Sequence, residues 1–216
     1  MKHLTQESAK QLDQLLFQYF SVEALIELAG QACAIAIQKT YEPQVTAVLV
    51  GSGNNGNDAI VCARYLKLFG FDVSLIIPKM KDQKLDSLHG FDIPIIQQES
   101  HFIKLKGSTL IVDGLLGFGT KGPIKEPYKQ FVDYMATARS CCVSIDIPSG
   151  WDVALGDVYK TNYNPEMLVS LTAPKECAKY FKGIHFVGGR FISNLISEEY
   201  DISIEYNGSE LVKRLQ

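Results

Sequence analysis

Residues 48–66, VLVGSGNNGNDAIVCARYL, constrain the fold more than any other part of the chain. An apolar run ends at Val50 and reads as a buried strand. It breaks into Gly51-Ser52-Gly53-Asn54-Asn55-Gly56-Asn57-Asp58, after which Ile60, Ala63, Leu66 and Phe69 share one face at helical spacing. The pattern predicts a strand, a Gly/Asn loop and a helix, with Gly70 closing the helix as its C′ residue. In an open α/β sheet such a loop lies at the carboxyl end of its strand, where ligands bind.

The remaining apolar runs extend this plan. Residues 72–77 (DVSLII) form a strand stopped by Pro78, and 109–113 (TLIVD), 141–145 (CCVSI) and 167–172 (MLVSLT) are further strands ending at polar loops. Residues 93–96 are a short strand candidate, with strand fragments at 186–187 and 202–204. Thr5 is placed to cap a first helix carrying Leu12, Leu15, Leu16 and Tyr19. A second helix starts near Ser21, and Gly30 inside it costs about 1 kcal/mol against alanine, which implies close packing on a neighbour. Residues 79–88 are charged and helical or loop-like, and 126–138 read as a helix with Phe131, Tyr134 and Met135 inward. Alternating strands and helices predict a doubly wound, mostly parallel α/β sheet. No repeat or linker divides the chain, so residues 1–216 are expected to form one domain.

Composition narrows the function. A net charge of −3 and a pI near 5.8 give no basic face for nucleic acid. No apolar run reaches the ~20 residues that span a bilayer. The N-terminus lacks both a signal core and an Arg-rich transit pattern, which points to the cytoplasm, or to mitochondria if a transit segment has been removed. Five cysteines without C-x-x-C spacing read as reduced, mostly buried thiols.

Three strands end in candidate site loops, at Asn54 to Asp58, Asp113 to Pro123 and Asp146 to Gly150, and parallel strands bring all three to one sheet edge. Asp113 or Asp146 alone is also a reasonable helix cap. Together, beside an Asn-rich loop, they read as a site. Gly51, Gly53 and Gly56 match the dinucleotide fingerprint formally, with Asp72 at the distance of a ribose-binding acid. Pyrophosphate needs bare backbone N–H groups, however, and the Asn and Asp oxygens favour a cation or hydroxyl groups as well. Asn55, Asp113 and Ser149 form a trio of hard oxygen ligands suited to alkali or alkaline-earth ions. The alternative reading of Asn55 is a turn residue tolerating φ > 0. Gly117-Phe118-Gly119-Thr120-Lys121-Gly122-Pro123 combines flexible backbone with one cation for phosphate, or is a mobile surface loop. Trp151 stacks on a planar ligand or packs in the core.

GSGNNGND at 51–58, VDGLLGFGTKGP at 112–123, SIDIPSGWDV at 144–153 and LTAPK at 171–175, in this order, resemble the NAD(P)H-hydrate epimerases, the family of the YjeF N-terminal domain. The similarity runs from LIELAG at 25–30 through KYFKGIHFVGGRF at 179–191. The resemblance implies a Rossmann-like three-layer α/β/α fold, commonly dimeric. It also implies epimerisation of the R and S forms of hydrated NADH or NADPH (NADHX and NADPHX) at the hydroxylated nicotinamide carbon. A separate dehydratase would then consume the product. A potassium ion is implied at Asn55, Asp113 and Ser149. Substrate contacts are implied at Asn54, Asn55, Gly56, Asn57, Asp58, Gly117, Phe118, Gly119, Thr120, Lys121, Gly122, Pro123 and Asp146. The family loop usually reads Asn-Asn-Gly-Gly-Asp-Gly, and this chain has Asn57 and Ala59 at the fourth and sixth places. Asn57 is expected to tolerate a glycine position of positive φ, and Ala59 adds one methyl group.

The substrate carbon carries a hydroxyl and the ring nitrogen, so its C–O bond can break with lone-pair assistance. Asp146 is the expected acid and base, suited to both steps by partial burial, and Lys121 the expected phosphate or orienting group. Ring opening and reclosure is the other route. Two different functions compete: a non-catalytic dimerisation or ligand-binding module, and a nicotinamide-dependent oxidoreductase. Retention of Asn55, Asp58, Asp113 and Asp146 argues against the first, and the lack of a Tyr-Lys or His constellation against the second.

Overall fold

The apolar strands form one seven-stranded sheet in a computed structural model that describes residues 2–216; Met1 lies outside them. In chain order the elements are α1 (Gln6–Leu16), α2 (Val22–Gln38), β1 (Val45–Val50), α3 (Asn54–Leu68), β2 (Asp72–Ile76), α4 (His101–Gly107), β3 (Leu110–Gly114), α5 (Lys129–Met135), β4 (Cys141–Ile145), β5 (Met167–Leu171), β6 (Ile184–Gly188), α6 (Asn194–Tyr200) and β7 (Val212–Arg214). Strand order is β2-β1-β3-β4-β5-β6-β7, parallel throughout except for the antiparallel β6–β7 pair.

Successive residues of a strand point to opposite faces, and both faces are apolar. Val48, Val50, Val112, Ile145 and Val169 face α2 and α3, whereas Ala47, Leu49 and Ile111 face Leu105 of α4 and Phe131, Val132 and Met135 of α5. The result is a three-layer, Rossmann-like α/β/α fold. Gly30 lets α2 press on α3: a Cβ there would lie 2.6 Å from the Asp58 carbonyl oxygen. Thr5 and Ser21 cap α1 and α2 by accepting the N–H groups of Ser8 and Ala24. Gly70 (φ 92°) ends α3 with a Schellman pair, Phe71 N–H to Leu66 O at 3.0 Å and Gly70 N–H to Lys67 O at 3.1 Å.

The structure departs from several local expectations. Residues 54–58 are not loop but the start of α3, with Gly53 as N-cap. Residues 93–96 contribute only an isolated parallel bridge between Leu75 and Ile95. Residues 202–204 form no strand. Ile202 is buried in the cluster around α1, and its apolarity serves helix packing. α5 is shorter than residues 126–138, and α4, α6 and β7 carried no signal strong enough to predict. Among the described residues no helix is long and apolar enough to cross a membrane, and all five cysteines are free.

Candidate active site

The chain leaves β1 for β2 on one side and returns to β3 on the other, so the β1/β3 boundary is the sheet's switch point. Ligands of doubly wound sheets bind in the crevice outside the strand ends there. Backbones approach closely at this point. Gly51 N–H donates to Gly114 O at 3.1 Å, and a Cβ on Gly51 would overlap the Leu115 carbonyl. A Cβ on Gly56 would overlap the Gly51 carbonyl, so these glycines are needed for contact between segments.

A cavity of about 480 Å³ opens above this crossing. Its floor and one side come from Ser52, Gly53, Asn54, Asn55 and Asp58, from residues 115–120, and from Asp146, Thr172 and Lys175. Helices α1 and α2 complete it with Lys10, Asp13, Leu16, Phe17, Leu25 and Ile26. A largely apolar pocket with a few convergent polar groups suits a planar ring bearing polar substituents.

Asp146 follows β4 with its backbone at φ 70°, a left-handed conformation unusual for a non-glycine residue and a frequent mark of functional sites. Its N–H continues the sheet by donating to Val169 O at 2.8 Å, after which the chain turns and the carboxylate is held at the cavity. Oδ2 accepts the Phe118 N–H at 2.8 Å, and Oδ1 lies 2.6 Å from Lys175 Nζ in an ion-pair contact without the direction of a hydrogen bond. Lys175 also donates to Leu171 O at 2.8 Å and sits 5.1 Å from the Phe118 ring centroid. Thr172, at φ 65°, lines the cavity beside this pair. Gly117 leaves the space between functional groups open: a Cβ there would lie 3.0 Å from Asp146 Oδ2 and 3.2 Å from Asn55 Cβ.

Two other carboxylates feel Asp146. Burial pushes Asp58 well above the usual carboxylate range, reinforced by the charges of Asp146 and Asp13. Burial likewise pushes Asp13 up to about 6, opposed by Lys175 and reinforced by Asp146.

Asp113 lies beneath the cavity and organises its loops. Its oxygens accept Ser149 Oγ at 2.6 Å, Ser144 Oγ at 2.9 Å, Ser149 N–H at 3.0 Å and Leu115 N–H at 3.2 Å. Burial raises its pKa, with these hydrogen bonds pulling the other way. Among the described residues no Lys, Arg or His forms a salt bridge with this fully buried carboxylate. Asn55 is half-buried, with its Nδ2 buried and unpartnered; rotated by half a turn, the amide presents an oxygen there instead. Buried oxygens on Asp113 and Ser149, with an unpartnered amide in the first turn of α3, are the donor type that a hard monovalent cation takes. The described residues hold no cluster of three His, Cys, Asp or Glu side chains.

Of the residues singled out from the sequence, Asn54, Asn55, Asp58, Gly117, Phe118, Gly119, Thr120 and Asp146 line the cavity. Asp113 and Ser149 lie below it, and Gly56 packs on Gly51. Asn57 has ordinary helical backbone, not positive φ, and its Oδ1 accepts the Lys84 N–H at 3.1 Å. Ala59 packs against Gly114, where its methyl takes the place a Cβ would fill. Lys121, Gly122 and Pro123 are exposed and do not line the cavity, so its buried cation is Lys175 instead. Trp151 is buried, donating from Nε1 to Tyr163 O at 2.9 Å, and packs rather than stacks on a ligand. The contributions of Lys175, Asp13 and Lys10 had no local motif beyond LTAPK.

A three-layer α/β/α sheet with a largely apolar cavity at its switch point places the chain among the Rossmann-like folds. The chain belongs to the YjeF-related protein N-terminus family, whose model matches residues 22–177. The crystal structure of yeast ynu0, YNL200c, is 31% identical and superposes with a TM-score of 0.94 over 100% of both chains. A transhydrogenase from Sinorhizobium meliloti, 15% identical with a TM-score of 0.36, covers 61% of this chain and 42% of its own; so low a score carries no argument.

Proposed function

We propose that the protein is an isomerase that epimerises hydrated NADH and NADPH at the hydroxylated nicotinamide carbon. The observation that carries this reading is Asp146, a carboxylate forced to the cavity wall by left-handed backbone and fixed between the Phe118 N–H and Lys175. Inverting a carbon that bears both hydroxyl and ring nitrogen needs proton transfer at oxygen, and no redox group. A positioned carboxylate supplies that, typically with a 10²- to 10⁴-fold effect on rate. The apolar side chains of α1 and α2 suit the hydrated nicotinamide ring, and the 115–120 loop borders the space left for the polar remainder.

Asn55, Asp113 and Ser149 would hold a potassium ion in this reading. The charge it would supply suits the buried Asp113 carboxylate, and these three residues would then tie the start of α3 to the loops after β3 and β4. Lys121, exposed beyond the cavity, suits the substrate's phosphates more than its reacting carbon. A homodimer, a cytoplasmic location and a separate dehydratase that consumes one epimer belong to the same proposal.

The test is a single purified epimer of hydrated NADH, incubated with the protein and followed by NMR at the hydroxylated carbon. Equilibration well above the spontaneous rate, lost in Asp146→Asn with the fold intact, supports the proposal. No acceleration by folded protein would favour a binding module.

A further inference from the structure

The helix that precedes the family-matched residues 22–177 is built into the cavity. Gln6 Nε2 donates to the carbonyls of Phe118 at 2.6 Å and Thr120 at 2.9 Å. Leu4 N–H donates to Pro174 O at 2.8 Å, and Leu4 O accepts the Glu176 N–H at 3.1 Å. The N-terminal segment thus clasps the two loops that carry Phe118 and Lys175. Leu12 and Leu16 anchor α1 on Leu25 and Ala173, which turns Asp13 toward the cavity lining.

We infer that Asp13 is a second proton-transfer group of the epimerase, working on one face of the substrate carbon while Asp146 works on the other. The inference rests on the epimerase reading. Asp146 is supplied by the end of β4 and Asp13 by α1, and both line the one cavity, so a ring bound there has a carboxyl group available from the sheet and another from the helix. The groups facing Asp13 are Lys175 and Asp146 from the sheet edge, Asp58 from α3 and Lys10 from its own helix. Burial holds the Asp13 proton to about pH 6, near the range where an acid must work.

The step balances. The Asp13 carboxyl proton passes to the substrate hydroxyl, the C–O bond breaks, and water leaves as the ring nitrogen lone pair forms C=N⁺. Water adds to the opposite face, the C=N π pair returns to nitrogen, and the added water's proton passes to the Asp146 carboxylate. The reverse reaction uses the two carboxyl groups in exchanged roles, and solvent exchange resets them.

The test is the pH profile of kcat and KM for wild type, Asp13→Asn and Asp13→Glu. Wild type should lose kcat/KM as pH rises through the Asp13 titration, because the acid form is the active one. Asp13→Asn should lose about 10²-fold or more in kcat with little change in KM, and should lose that alkaline limb; Asp13→Glu should keep it. Wild-type activity without an alkaline limb, or Asp13→Asn with kcat within about threefold of wild type, would overturn the inference while leaving the epimerase reading standing. Inactive wild-type protein would overturn both.

Discussion

Lys175 Nζ meets Asp146 Oδ1 at 2.6 Å, with side chains only 4% and 6% exposed. Two opposite charges therefore face each other at the cavity wall with little solvent screening. A buried pair of this kind adds little net stability, because desolvation offsets attraction, but losing one partner strands the other. Its value here is positional: Lys175 also binds the Leu171 carbonyl, so the ammonium ties the end of β5 to the carboxylate after β4.

Lys175→Met should lower the unfolding free energy by about 3 kcal/mol and reduce epimerase kcat, since Asp146 loses its partner. The double variant Asp146→Asn/Lys175→Met should be less destabilised than the sum of the single variants, yet remain inactive. Urea unfolding of the four proteins measures the coupling. Additive effects would mean that the pair is not coupled.

Lys121→Ala should leave kcat within about twofold and raise KM severalfold, because an exposed lysine outside the cavity assists binding and not the chemical step. Steady-state kinetics decide it. A large fall in kcat would place Lys121 at the reacting carbon.

Asn57→Gly should cost about 1 kcal/mol, from the lost hydrogen bond to Lys84 N–H and the lower helix propensity of glycine. Activity should change little. Hydrogen exchange at the Lys84 amide should speed up, and unchanged protection there would contradict the role assigned to Asn57.

His185 is buried between Ser170, whose Oγ lies 2.9 Å from Nε2, and the Phe181 ring. Burial, aided by the charge of His3, pushes its pKa down to about 4. A depressed histidine favours the neutral folded form, so its contribution is present above the unfolded value of 6.5 and is lost as pH falls toward 4. The loss amounts to about 3 kcal/mol at 1.36 kcal/mol per unit. His185→Asn should flatten the pH dependence of unfolding between 6.5 and 4. An equally steep slope would assign acid sensitivity elsewhere.

The sheet was legible because buried parallel strands write themselves as continuous apolar runs, and Gly70 because a Schellman motif leaves a glycine at a fixed place. The gathering of Asn55, Asp113 and Asp146 at one sheet edge followed from the same topology. Asn54 to Asp58 misled: Gly and Asn have poor helix propensity, yet α3 starts there, with Gly56 packed against the Gly51 backbone. Lys175 and Asp13 were illegible as site residues because nothing beside them in sequence shows their partner. Lys175 meets Asp146 only when β5 is laid beside β4, and Asp13 reaches the cavity only once Gln6 and Leu4 bind the loops. β7 is three residues long, too short for a period of two to be seen.

The most direct measurement couples an R and S mixture of hydrated NADH to a dehydratase that consumes one epimer, and follows absorbance with and without this protein in potassium and in sodium buffer. Rapid consumption of the remaining epimer is expected, faster in potassium, with the potassium advantage lost in Asn55→Ala. Consumption no faster than spontaneous epimerisation, by protein shown to be folded, would contradict the epimerase reading.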